Sequence, residues 1–183
     1  MNKTKSAIRE TFIAQYRKQP FDKMSVKGLC CAVPAARTTF YEYYDNLGTL
    51  KAEIEDELIS GILDIARKTP KCNSPQAELR VFFERTLAYI RSHWNENFAF
   101  LVSQPNLTYI AKWKAAIKDH FDLRFPEKRN VPNHGLILEV IASAVISAYT
   151  YWMEHPDEVD TGRLAEISVR MLGAVLGAVE NII

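Results

Sequence analysis

The sequence is poor in the residues that break helices. Seven glycines and eight prolines in 183 residues leave little material for the many tight turns of a β-rich fold, and a mainly helical chain is expected. Its three cysteines, Cys30, Cys31 and Cys72, are an odd number and include an adjacent pair, so no disulfide framework is expected. The chain therefore reads as a reduced, cytoplasmic protein. No uninterrupted apolar run reaches the roughly 18 residues of a membrane span, and even the richest stretch, 135–153, carries Glu139, so no membrane partner is expected. Residues 1–10 are polar and charged and lack the apolar core of a secretory leader. His93, His120, His134 and His155 lie apart without metal-ligand spacing. There is no Cys-x-x-Cys, no phosphate-gripping glycine loop and no nucleophile elbow. The expectation is a protein that is not an enzyme and holds neither metal nor cofactor.

Charge is present but unevenly placed. Residues 1–52 hold nine Lys and Arg against four acids, a net of +5, whereas the whole chain is +1, which leaves −4 for the rest. A basic first quarter on an acidic body points to polyanion binding by the N-terminal part.

Periodicity predicts an all-α fold of about nine helices. Ile8, Phe12 and Tyr16 make one apolar stripe, and Phe21, beyond the break at Pro20, is placed to fold back onto it. Ser25 is a good N-cap for a second helix whose inner face is Val26, Leu29 and Cys30. After Pro34 comes "AARTTFYEYYDN", a third short helix. Leu50, Ile54, Leu58, Ile62 and Ile65 mark a fourth helix from Leu47 to about Lys68, before the linker 69–75. Leu79, Phe82, Phe83, Thr86, Leu87 and Ile90 share a face in 76–93, and residues 96–103 form a shorter apolar piece. Leu107, Ile110, Trp113, Ile117 and Phe121 mark the helix in 106–125. Residues 136–154 and 161–183 read as two long helices. The organisation expected is a head (1–46), a connecting helix (47–68) and a C-terminal helical part (69–183).

Two short helices joined by "AVPA", with a helix on either side, make a helix-turn-helix, whose second helix can lie in the DNA major groove. On a helical wheel Ala36, Phe40 and Tyr44 fall on one side, and Arg37, Thr38 and Tyr41 fall on another. The first set is expected to pack and the second to face outward. Arg37 suits guanine O6 and N7, and Thr38 suits a base edge or a thymine methyl. Thr39, Tyr41 and Tyr43 suit phosphate oxygens. Ser25 and the N–H groups after it, with Lys27 beside them, suit another phosphate.

"MSVKGLCCAVPAARTTFYEYYDNLGTL" resembles the DNA-binding signature of the TetR family of bacterial transcriptional regulators. The resemblance lies in Ser25-Val26, in Arg37-Thr38-Thr39-Phe40-Tyr41, in Tyr44 and in Leu50, and it covers roughly residues 8–52. It implies a DNA-binding head contacting a palindromic operator through Lys27, Arg37, Thr38, Thr39, Tyr41 and Tyr43. It also implies a dimer, a repressor's role, and a C-terminal part that binds a small molecule and then releases DNA. The chain departs from the family pattern where Pro34 replaces glycine, Ala36 replaces serine and Leu47 replaces a phosphate-gripping lysine, for which Lys51 one turn later can substitute.

In the C-terminal part, Ile137, Ile141, Val145 and Trp152 alternate with Ala142, Ala144, Ser147 and Ala148. The last helix likewise sets Leu164, Ile167, Met171 and Leu172 beside Gly173 and Ala174. Such helices can pack closely across a two-fold axis, which predicts a homodimer through the last two helices. A ligand site, if aromatic-walled, draws on Phe82, Phe83, Phe98, Tyr109, Trp113 and Tyr149. It would take a small apolar or aromatic molecule, with a buried Glu84 or Glu139 favouring a cation. The same rings at helical spacing also make an ordinary core. The alternative function is a helical ligand- or protein-binding module that has lost specific operator binding.

Overall fold

In a computed structural model, which describes residues 3–33, 36–126 and 129–180, the described residues form nine α-helices and no strand. They are α1 (Lys3–Tyr16), α2 (Val26–Ala32), α3 (Arg37–Tyr41), α4 (Leu47–Lys68), α5 (Pro75–Ser92), α6 (Trp94–Phe98), α7 (Leu107–Arg124), α8 (His134–Glu154) and α9 (Thr161–Glu180). A 3-10 turn spans Phe21–Lys23, and α6 runs on as a π-helical turn over Ala99–Ser103. The chain divides into two compact units. One holds the residues up to Leu58 together with His93–Asn106, and the other holds Ile59–Ser92 together with the residues from Leu107 on.

In the first unit the α1 stripe is buried as its spacing predicts, with Ile8, Phe12 and Tyr16 at 1, 0 and 4% exposure. Phe21 does fold back, its ring 6.3 Å from Phe12 and 6.0 Å from Tyr16. Leu29, Phe40, Tyr44, Leu50 and Ile54 complete this core, with Phe100 and Leu101 from the π-turn. Of the predicted inner face of α2 only Leu29 is fully buried, while Val26 and Cys30 are half-buried. In this unit α6 and the π-turn pack against α1.

In the second unit all six predicted inner residues of α5 are buried. In α7, Trp113, Ile117 and Phe121 are buried, but Leu107 is 79% exposed because it opens the helix. In α9, Leu164 and Leu172 are buried, whereas Ile167 and Met171 are 44% and 58% exposed. Contrary to the expectation that no segment would qualify, α8 is long and apolar enough to cross a membrane by length and composition, with mean hydropathy 1.5. Eight of its side chains, Leu138, Ile141, Ala142, Val145, Ile146, Tyr149, Trp152 and Met153, are buried inside the unit, which accounts for that composition as a core helix. A Cβ on Gly61 would lie 2.2 Å from the Tyr89 hydroxyl oxygen, so any larger residue there forces the Tyr89 ring to move.

Candidate nucleic-acid interface

The helix-turn-helix starts at Ser25, whose hydroxyl accepts from the Gly28 N–H at 3.0 Å and so caps α2 as expected. That oxygen is therefore occupied by the helix, and Lys27 stands exposed beside it. Pro34, which stands where the family pattern has glycine, lies outside the described residues. The helix α3 is only five residues long, and its N-cap, Ala36, offers no side-chain hydrogen bond. Ala36 is exposed rather than packed, because it precedes the helix instead of taking a place on its inner face.

The inward side of α3 rests on two rings. Phe40 is fully buried and Tyr44 is 3% exposed, with centroids 5.6 Å apart. The Tyr44 hydroxyl donates to Glu53 at 2.8 Å, and Glu53 also receives Lys5 at 2.9 Å and Arg9 at 3.2 Å. Arg9 makes a second, two-pronged pair with Glu57, which holds the Glu57 carboxyl below its usual range. Burial, reinforced by the bond to Glu53, pushes the Tyr44 phenol well up. One carboxylate on α4 therefore ties α1 to the chain just past α3. Sequence reading missed Glu53; its only trace is an acid amid the basic head, three residues after the buried Leu50.

The outward side carries Arg37, Thr38 and Tyr41, all exposed, Tyr41 at 56%. Arg37 forms no hydrogen bond or salt bridge among the described residues, so its five donors are uncommitted. Thr39 and Tyr43 are half-buried at the flanks. Lys51 differs. Its ammonium lies 3.2 Å from the buried Glu55 and 5.3 Å from the Phe21 ring centroid, and its side chain is 19% exposed. The structure thus groups Lys27, Arg37, Thr38 and Tyr41 as exposed side chains of α2 and α3, and it sets Lys51 in the packing of the head.

The six candidate ligand residues do not form one group. Phe83, Tyr109, Trp113 and Tyr149 make a packed cluster in the second unit, with Trp113 stacked on Tyr149 at 5.7 Å and Phe83 5.9 Å from Tyr149. Phe82 meets Phe83 edge-on at 6.1 Å and stacks on His120 at 4.8 Å. Phe98 belongs to the first unit, against Trp94 and under the Arg17 guanidinium. The hydroxyls of Thr86 and Tyr149 are buried in the cluster close to one another but without a well-formed hydrogen bond. Neither candidate acid is buried: Glu84 is exposed, and Glu139 pairs with Lys114 at 2.7 Å and with Lys118, which hold its carboxyl down to about 2. A surface cavity of about 210 Å³ lies elsewhere in this unit, lined by Glu84, Leu87, Ala88, Arg91, Thr161 and Gly162. Among the described residues no group of three or more His, Cys, Asp or Glu could hold a metal ion.

This arrangement is the fold of the TetR-family transcriptional regulators, an all-α architecture with an N-terminal helix-turn-helix. A TetR-family regulator of Streptomyces coelicolor is 14% identical, with 95% of this chain and 83% of that one covered and a TM-score of 0.72. A TetR-family regulator of Bordetella parapertussis is 17% identical, with 94% and 95% covered and a TM-score of 0.71. The fatty acid degradation regulator FadR of Bacillus halodurans is 13% identical, with 94% and 95% covered and a TM-score of 0.70. The sequence matches no protein-family model and no curated protein.

Proposed function

We propose that this protein is a sequence-specific DNA-binding transcriptional regulator, acting in the cytoplasm as a homodimeric repressor on a palindromic operator. The observation that carries the reading is the partition of α3. A buried ring clamps one side, and on the other stand the exposed Arg37 guanidinium, which has no partner among the described residues, the exposed Thr38 hydroxyl and the Tyr41 ring, 56% exposed and edge-on to Phe40. That is the surface a recognition helix presents to a major groove. Arg37 and Thr38 read bases, while Lys27, Tyr41, Thr39 and Tyr43 hold phosphates. Ser25 serves by capping α2 and so fixing Lys27. Lys51 contributes through its pair with Glu55 rather than as a free cation.

Selection from random duplexes at low salt tests this, and an enriched palindrome is the expected result. No enriched motif would favour the alternative, a helical binding module without operator recognition. With the selected duplex in hand, Arg37→Ala is expected to lower discrimination at one base position by about 1–3 kcal/mol. Lys27→Ala is expected to weaken binding to all duplexes alike and to reduce the salt slope by about one. Unchanged operator preference in Arg37→Ala removes its reading role.

The dimer contact proposed is α8 and α9 against their copies. Leu136, Val140 and Tyr151 are 64, 52 and 53% exposed on α8, with exposed Ala144 and Ser147 between them. Ile167 and Met171 continue the apolar surface on α9. Exposed apolar residues at four-residue spacing on neighbouring helices are a self-association surface of the kind a two-fold axis pairs. The double variant Val140→Glu/Met171→Glu is expected to sediment as a monomer where the parent sediments as a dimer, and to lose at least tenfold in operator affinity. Parent and variant sedimenting alike would discard this interface.

A small apolar or aromatic effector is proposed for the second unit, beside Phe83, Tyr109, Trp113 and Tyr149, with Phe82 at the edge. The two buried hydroxyls of Thr86 and Tyr149 support a ligand bearing one polar group. Phe98 is left out of this set, because it lies in the other unit.

A further inference from the structure

The residues assigned to DNA reading all lie between positions 25 and 51. We propose that Gln104, far outside that stretch, is a positioning residue of the DNA-reading head; the proposal rests on the operator binding inferred above.

The chain leaves α1 at Tyr16 and reaches Ser25, the cap of α2, through a connection that contains no helix but the short turn at Phe21–Lys23. The last carbonyls of any helix lack donors, so its exit direction is set by whatever satisfies them. Here the donor comes from far along the chain. Gln104 Nε2 donates to the Tyr16 carbonyl and, at 2.6 Å, to the Gln19 carbonyl, while Gln104 Oε1 accepts from the Phe21 N–H at 3.1 Å. One carboxamide thus satisfies two acceptors and one donor of the connection. The surroundings also fix its orientation, since the flipped amide would set its oxygen against two carbonyls.

Gln104 is itself held on both sides. Its N–H closes the π-turn on the Ala99 carbonyl at 3.1 Å, and Phe100 within that turn meets the Tyr16 ring edge-on at 5.3 Å. Two residues on, Asn106 Nδ2 donates to the buried Glu55 at 2.6 Å, and Glu55 in turn holds Lys51, whose ammonium covers Phe21. A carboxamide fixed in this way sets where Phe21 turns, and so where Ser25 and Lys27 begin α2. It touches no outward residue of α3. Its effect on DNA passes through the placing of α2 and α3, and for that reason it is a positioning residue.

The test starts from a duplex selected by the parent protein. If the parent selects none, the proposed function fails before any variant is made. Gln104→Glu keeps the size of the side chain but loses both donations, and Gln104→Ala loses all three bonds. In both, far-UV helicity is expected to stay at the parent level while the Phe21 amide exchanges at least tenfold faster. Discrimination between the selected and a scrambled duplex is expected to fall roughly tenfold, with affinity for the scrambled duplex and its salt slope unchanged. Parent-like discrimination in both variants overturns the proposal. So does a loss of helicity with parallel loss of selected and scrambled binding, because Gln104 would then serve only to hold the fold.

Discussion

Replacing Phe40 with alanine is expected to cost about 3–5 kcal/mol of stability and to remove operator binding, although the ring touches no DNA. The reason is the shortness of α3. Five residues cannot sustain a helix in water, because nucleation is unfavourable and so few backbone bonds repay it. What holds α3 in place is the fully buried Phe40 ring, backed by Tyr44 and by the Glu53 carboxylate that receives the Tyr44 hydroxyl. Deleting the ring leaves a cavity under α3 and frees Arg37, Thr38 and Tyr41 to take many orientations. Phe40→Leu keeps most of the volume and is expected to cost much less, with operator binding retained. Urea denaturation of the two variants, followed by gel shift on the selected duplex, checks both expectations. If Phe40→Ala bound the operator like the parent, α3 would not depend on its inner side.

Acidification is expected to weaken the second unit between pH 6.5 and about 4, by up to about 3 kcal/mol. The group responsible is His120. Burial against Phe82 and the nearby Arg124 guanidinium lower its pKa from 6.5 to about 4. The unfolded chain, with His120 near 6.5, takes up a proton in that window while the folded chain does not. Stability is therefore full above the unfolded value and is lost as pH falls through the folded one. Arg124 cannot move aside to relieve the cation, because it pairs with Glu78 at 2.6 Å and donates to the Pro70 carbonyl at 2.8 Å. Measured as urea stability at pH 7.0, 5.5 and 4.5, His120→Gln is expected to lose less on acidification than the parent. Equal slopes in the two proteins would falsify the assignment.

Much of this architecture was legible in residue spacing. The bounds of α4 follow from Leu50, Ile54, Leu58 and Ile62, and all six inner residues of α5 were readable, because burial of one helical face imposes a period of 3.6 that survives in composition. The partition of α3 was readable for the same reason, with Phe40 and Tyr44 against Arg37, Thr38 and Tyr41, but Ala36, placed with the packed pair, is exposed because it precedes the helix. Periodicity does not say what covers an apolar face. Ile167 and Met171 share the apolar pattern of α9 with Leu164 and Leu172, yet the first two are exposed in the single chain and the last two are buried, and spacing alone does not separate them. Leu107 fails because a first-turn residue has no neighbouring turn before it to share its face. Long-range polar contacts leave no local trace. Nothing near Gln104 announces that its amide completes the end of α1, and nothing near Phe98 separates it from the rings of the second unit. Lys51–Glu55 did leave a local trace, an opposite-charge pair four residues apart, yet the sequence reading assigned Lys51 to a phosphate instead.

The shortness of α3 has a consequence for descent. Its anchoring is concentrated in one benzyl ring and one phenol, with the Tyr41 ring edge-on to Phe40 at 5.5 Å, while the exposed Arg37 and Thr38 take no part in it. Selection can therefore exchange position 37 or 38 at little cost in stability, and lineages sharing this scaffold are free to diverge until little but the shape is common to them.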